Sequence, residues 1–136
     1  MPRILVIDAQ GGGIGRQLVS ALKKELPQAH ITAVGANSLA ASAMLKAGAD
    51  AAATGENAVA VACRRADVIA GPIGIVIADA LLGEITPAMA CAVGQSSAKR
   101  ILIPVNHCDN IVVGVPDLNL SRLIQEAVAR IKDCLI

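Results

Sequence analysis

In the stretch Val6-Ile7-Asp8-Ala9-Gln10-Gly11-Gly12-Gly13-Ile14-Gly15-Arg16, an apolar run that begins at Ile4 stops at Asp8 and gives way to consecutive glycines. Past them, Ile14, Leu18, Ala21, Leu22 and Leu26 recur at helical spacing. The order is therefore buried strand, tight turn, helix N-terminus. Glycine lets a backbone approach a ligand closely, and the unpaired N–H groups and dipole of a helix start attract an anion. Arg16 points the same way, because a cation in the first turn opposes the helix dipole unless an anion lies nearby.

Working outward, Pro27 ends the first helix and His30–Gly35 reads as a second strand. Gly35-Ala36-Asn37-Ser38 caps a helix that runs through Lys46 and stops at Gly48. Residues 49–53 form a third short strand, followed by the turn Thr54-Gly55-Glu56-Asn57 and a helix to Arg65. Residues 67–71 give a fourth strand that leads into Gly71-Pro72-Ile73-Gly74. The segment 73–82 is apolar nearly all round, with only Asp79 interrupting it, and reads as a helix. Thr86-Pro87 starts a further helix, threonine as N-cap and proline at the first helical position. Residues 100–105 are the fifth strand, and 111–115 an antiparallel neighbour across a hairpin loop at 106–110. The last helix carries Leu120, Leu123, Ile124, Ala127, Val128, Ile131 and Leu135 on one face.

Strands written as unbroken apolar runs, alternating with helices, imply a mostly parallel sheet buried on both faces. The expected fold is one α/β domain over residues 1–136, doubly wound, in strand order 3-2-1-4-5 with an antiparallel edge strand. In such sheets ligands sit beyond the C-terminal strand ends, where the order reverses. That places Asp8, Gln10, Gly11, Gly12, Gly13, Ile14, Gly15 and Arg16 opposite Gly71, Pro72, Ile73 and Gly74. Asn37, Ser38, Thr54, Asn57 and Asn106 fall on flanking loops of the same rim.

The strict dinucleotide fingerprint G-x-G-x-x-G is not met, since Arg16 stands where its third glycine belongs, and no Gly-Lys-Ser/Thr completes a P-loop. The turn is more similar to the G-x-x-x-G-x-G of short-chain dehydrogenases, with Gly13-Ile14-Gly15 as its second half, Ala9 for the first glycine and Asp8 for the usual threonine. That family's Tyr-x-x-x-Lys pair has no counterpart, because the chain contains no tyrosine. Over its length the chain resembles a family of small bacterial Rossmann-like domains of unknown function. The likeness rests on residues 8–15, Ser42-Ala43-Met44-Leu45-Lys46-Ala47-Gly48-Ala49, Thr54-Gly55-Glu56-Asn57, Gly71-Pro72-Ile73-Gly74 and Ile103-Pro104-Val105-Asn106. It implies the fold and assigns no activity; the family pattern has glycine where this chain has Ala9.

Hydrophobic residues make up 54% of the chain without one Phe, Tyr or Trp, so the core is Ile, Val, Leu and Ala. Charged residues are only 17%, below the roughly 25% of an average soluble domain, which points to surface hidden in a homodimer or larger homo-oligomer. A net charge of +1 and the lack of aromatic stacking platforms argue against nucleic acid as partner. No stretch is long and apolar enough for a signal peptide or membrane span. Cys63, Cys91, Cys108 and Cys134 lack C-x-x-C spacing, which fits reduced thiols in the cytoplasm and no metal site.

The sequence thus reads as a small-molecule-binding module for a nucleotide or an NAD(P)-like dinucleotide. Asn37 and Ser38 stand where an acid for ribose or a base for a 2′-phosphate is usual, so neither NAD nor NADP is favoured. Two other readings stand beside it. One is a small enzyme acting on a phosphorylated or acyl metabolite through Asp8, Glu56, His107 or Cys108; the other is a non-catalytic oligomeric scaffold whose glycines only serve packing. Asp8 either holds magnesium or accepts hydrogen bonds from the turn. An all-apolar helix at 73–82 would need a second subunit as cover, around Ile75, Ile77 and Leu81.

Overall fold

Aliphatic runs become strands here, and each is followed by a helix that carries the chain back over the sheet. The computed structural model describes residues 1–105, 110–115 and 119–135. Its strands are β1 (Arg3–Asp8), β2 (His30–Gly35), β3 (Ala51–Thr54), β4 (Val68–Pro72) and β5 (Lys99–Ile103). They form one parallel sheet in the order β3-β2-β1-β4-β5. The helices are α1 (Gly13–Glu25), α2 (Ser38–Lys46), α3 (Glu56–Arg65), α4 (Pro87–Gln95) and α5 (Leu120–Cys134). The order reverses at β1, where Val6 lies opposite Ala33 of β2 and Ala70 of β4.

Alternate side chains of a strand point to opposite faces, and β1 divides its residues accordingly. Ile4 and Val6 pack with Ile31, Leu18 and Leu22 of α1, Met44 of α2 and Ile124 and Ile131 of α5. Leu5 and Ile7 pack on the other side with Ile69, Val59 of α3 and Met89 and Val93 of α4. With both faces covered, β1 is buried from Ile4 to Asp8. The doubly wound α/β fold and its strand order are those expected, with strand ends moved by one or two residues.

Two expectations fail. Residues 111–115 are not an antiparallel edge strand: Gly114 has φ +83°, the Val115 N–H bonds back to the Val112 carbonyl at 3.4 Å, and Ile111 and Val113 are 90% and 92% exposed. A left-handed residue turns the chain where alternation alone would extend it. The hairpin loop proposed to precede it falls mostly on residues 106–109, outside the described residues.

The second failure is the helix at 73–82. A single 3-10 turn, Ile73–Val76, is followed by a compact loop over 77–85 in which Asp79, Leu81 and Leu82 have φ of +67°, +57° and +59°. The loop is closed by Asp79 N–H to the Ile85 carbonyl (2.7 Å) and Ile85 N–H to the Ala80 carbonyl (3.2 Å). Folding the segment on itself buries Ile75, Ala80, Leu81 and Ile85 in the α3/α4 core, and leaves Ile77 half-buried. The apolar pattern is thus satisfied within the chain, and the subunit interface expected around Ile75, Ile77 and Leu81 loses its basis.

Candidate functional site

β1 ends at the reversal point, so the turn 9–12 and the start of α1 stand at the rim where doubly wound sheets take ligands. Gln10 (φ +53°) and Gly12 (φ +71°) reverse the chain, with the Gly12 N–H on the Ala9 carbonyl at 3.0 Å. Gly12 is the N-cap of α1 and has no side chain to cap it. Asp8 does so from outside the helix: one oxygen accepts from the Gly15 N–H at 2.7 Å and the other from the Ala9 N–H at 2.8 Å. The carboxyl is buried, and desolvation pushes its pKa above the ordinary value of 3.8. Backbone bonds from Gly15, Ala9 and Ile14 pull it back, while the charge of Glu84 raises it further. With its oxygens on backbone donors, Asp8 is a helix cap.

The glycines separate into two kinds. A Cβ on Gly15 would stand 2.5 Å from Met44 Sδ and 2.9 Å from Asp8 Cβ, and one on Gly71 would collide with the Ile7 carbonyl. Gly12 and Gly74 are also crowded, against Ala40 and Leu81. These four are packing positions. At Gly11 and Gly13 a Cβ would meet nothing within 4 Å, and both residues are exposed. Arg16 is exposed one turn into α1, and its guanidinium makes no ion pair among the described residues.

What faces the glycine turn differs from the expected Gly71-Pro72-Ile73-Gly74. Gly71, Pro72 and Gly74 are buried by the chain itself, and only Ile73 of that group is half-exposed. The contact comes from Glu84, on the 77–85 loop: one of its oxygens accepts from the Gln10 N–H at 3.0 Å and from the Asn37 amide at 2.6 Å. Asn37 also donates to the Gln10 carbonyl at 2.9 Å and caps α2 by accepting from the Ala40 N–H at 2.8 Å. Asn37 is therefore fully engaged as a clasp between the glycine turn, α2 and Glu84. Ser38 is exposed at the first turn of α2; Ile14 is half-buried against the α1/α5 core. Thr54, Glu56 and Asn57 are exposed at the β3 end and the start of α3, and no hydrogen bond joins them to the glycine turn among the described residues. Asn106, His107 and Cys108 lie outside the described residues.

Glu84 is the site residue that sequence reasoning missed. It follows Gly83, just past the segment read as helix and 47 residues from Asn37, and no local pattern announces the pairing. A cavity of about 220 Å³ lies away from this rim, between α3 and the β1–β3 face, lined by Thr32, Val34, Ala58, Val61 and Ala62 among others. It is a gap left where alanines do not fill the space under a helix. No group of three or more potential metal ligands forms among the described residues, and no helix there is long and apolar enough to cross a membrane.

Fold and rim together define a doubly wound α/β protein with a glycine turn at the point where its strand order reverses. The chain belongs to the DUF3842 family, a domain of unknown function, whose model matches residues 3–136. No curated protein matches it. Among solved structures it is similar to a dodecameric FMN-dependent UbiX-like decarboxylase from Escherichia coli O157:H7, at 16% identity and a TM-score of 0.43, covering 96% of this chain and 93% of the other. A likeness of that degree transfers neither ligand nor assembly.

Proposed function

We propose that this protein is a nucleotide-binding module whose phosphate site is the exposed side of Gly11 and Gly13, with Arg16 as the neutralising cation. One observation carries the reading. Packing accounts for Gly12, Gly15, Gly71 and Gly74, but among the described residues nothing occupies the space beside Gly11 and Gly13. A bare backbone at a helix start, next to an arginine without an acidic partner, is suited to a phosphate group. Asp8 limits how the anion sits, since it already holds the Gly15 N–H. The phosphate approaches the turn from the Gly11–Gly13 side instead of entering along the helix axis.

The test is Gly13→Val, a change that the fold accommodates because no atom lies within 4 Å of the added Cβ. Mass spectrometry of the purified protein and calorimetry with ADP and NAD⁺ should find nucleotide on the wild type and none on the variant. Equal affinity in a folded Gly13→Val protein refutes the phosphate site. Ligand-free wild type that binds neither compound refutes the nucleotide reading.

A further inference from the structure

Glu84 reaches the turn on a strained support. Leu81 and Leu82 adopt left-handed backbone conformations that L-residues rarely take, at φ +57° and +59°. Leu82 is also 94% exposed, so its own burial does not offset that strain. Left-handed non-glycine residues concentrate where geometry serves binding. What this loop delivers is a carboxylate beside Asn37, just past the end of β2, bonded to Gln10 of the glycine turn. Both bonds fall on one oxygen, and the other accepts no hydrogen bond from a described residue.

We infer that Glu84 is the ribose-reading residue of the site, its unengaged oxygen accepting from the vicinal hydroxyls of an unphosphorylated ribose and its charge rejecting a 2′-phosphate. This rests on the nucleotide reading above. In doubly wound dinucleotide sites an acid at the end of the second strand takes the ribose hydroxyls. Here that strand end carries the neutral Asn37, and the acid arrives at the same place from the loop after β4. Gln10 and Asn37 fix the orientation of the carboxylate before any ligand arrives, so ordering it adds little cost to binding. The ligand class is a nucleotide with a free 2′,3′-diol.

Calorimetry with NAD⁺ and NADP⁺ on wild type and Glu84→Gln tests this. The glutamine amide oxygen can still accept from Gln10 and Asn37, so the clasp stays and only the charge and the hydroxyl acceptor change. Wild type should prefer NAD⁺ by at least about tenfold, the scale of one charge-assisted hydrogen bond. Glu84→Gln should weaken NAD⁺ by about tenfold and strengthen NADP⁺. Those opposite signs are the diagnostic, because a merely structural role moves both ligands together. Equal shifts for the two, no shift, or tighter binding of both (Glu84 as a plug) overturns the inference and leaves the nucleotide reading standing. So does a wild type that prefers NADP⁺. Binding of neither by wild type overturns both.

Discussion

Replacing Gly15 by alanine sets packing against helix propensity, and the structure says which wins. Alanine would ordinarily stabilise a helix by about 0.5–1 kcal/mol over glycine. At this position the new Cβ would stand 2.5 Å from Met44 Sδ, 2.9 Å from Asp8 Cβ and 3.1 Å from an Asp8 oxygen. Met44 is fully buried and can yield only by disturbing the α1–α2 contact, while Asp8 is held by the backbone bonds that cap α1. Overpacking costs about 1–3 kcal/mol, and displacing the cap about 1 kcal/mol more. The net loss is about 1–3.5 kcal/mol, which for a domain of this size lowers the melting temperature by roughly 4–15 °C. Gly13→Ala is the control, since its Cβ meets nothing; propensity alone should act there and leave melting unchanged or slightly raised. Thermal unfolding followed by circular dichroism compares the two directly. A Gly15→Ala protein that melts within 2 °C of wild type would refute the division of the glycines into packing and ligand positions.

Arg16→Ala should weaken nucleotide binding by about 1.5–3 kcal/mol while leaving the ligand-free protein as stable or slightly more so, because the cation at the α1 N-terminus is removed; a melting loss with affinity intact would make Arg16 structural. Asp50 accepts the Ile31 N–H and pairs with Lys23 at 2.9 Å, and these hold its pKa below the ordinary 3.8. A depressed carboxyl contributes stability above its unfolded pKa and loses it as the pH falls through the folded one. The melting advantage of wild type over Asp50→Asn should therefore hold from neutral pH to about 4 and shrink below; an advantage that grows on acidification would reverse the assignment. Referencing to the variant also cancels Asp8, whose raised pKa acts in the opposite sense. Burial pushes the Cys63 thiol up to about 11, whereas Cys91 and Cys134 are exposed; alkylation at pH 8 with peptide mapping should mark the latter two and spare Cys63 until denaturant is added.

The strand order was legible because each strand has an aliphatic centre flanked by turn residues, and β1 passes into its glycines without a competing signal. The turn, the Thr86 cap and the α5 face followed from patterns confined to a few neighbouring residues. What misled was apolarity without a period. Residues 73–82 are equally apolar as a helix or as a loop folded into the core, and only tertiary contact with Val59, Met89 and Val93 decides between them. The same loop hides Glu84, since a pairing over such a sequence separation leaves no trace in local pattern. Asp8 was readable as an acceptor for the turn, because an acid beside an uncapped helix start has one obvious use. Glycine identity alone did not separate the open positions from the crowded ones; that depends on what the neighbouring elements place beside each Cα.

The site has sides of unequal stiffness. Its glycine side hangs from β1, which hydrogen-bonds to a neighbour along both edges and is buried on both faces. Its acidic side comes from a loop closed by short-range turn bonds on a partly left-handed backbone, outside the sheet. Amide protons of Leu5, Val6 and Ile7 should exchange only with global opening, and those of Leu82–Glu84 by local excursions far below that free energy. On the proposed nucleotide reading, a ligand would meet the glycine turn first and the Glu84 contact afterwards. On the same reading, release would begin at the loop side, by local opening that leaves the sheet intact.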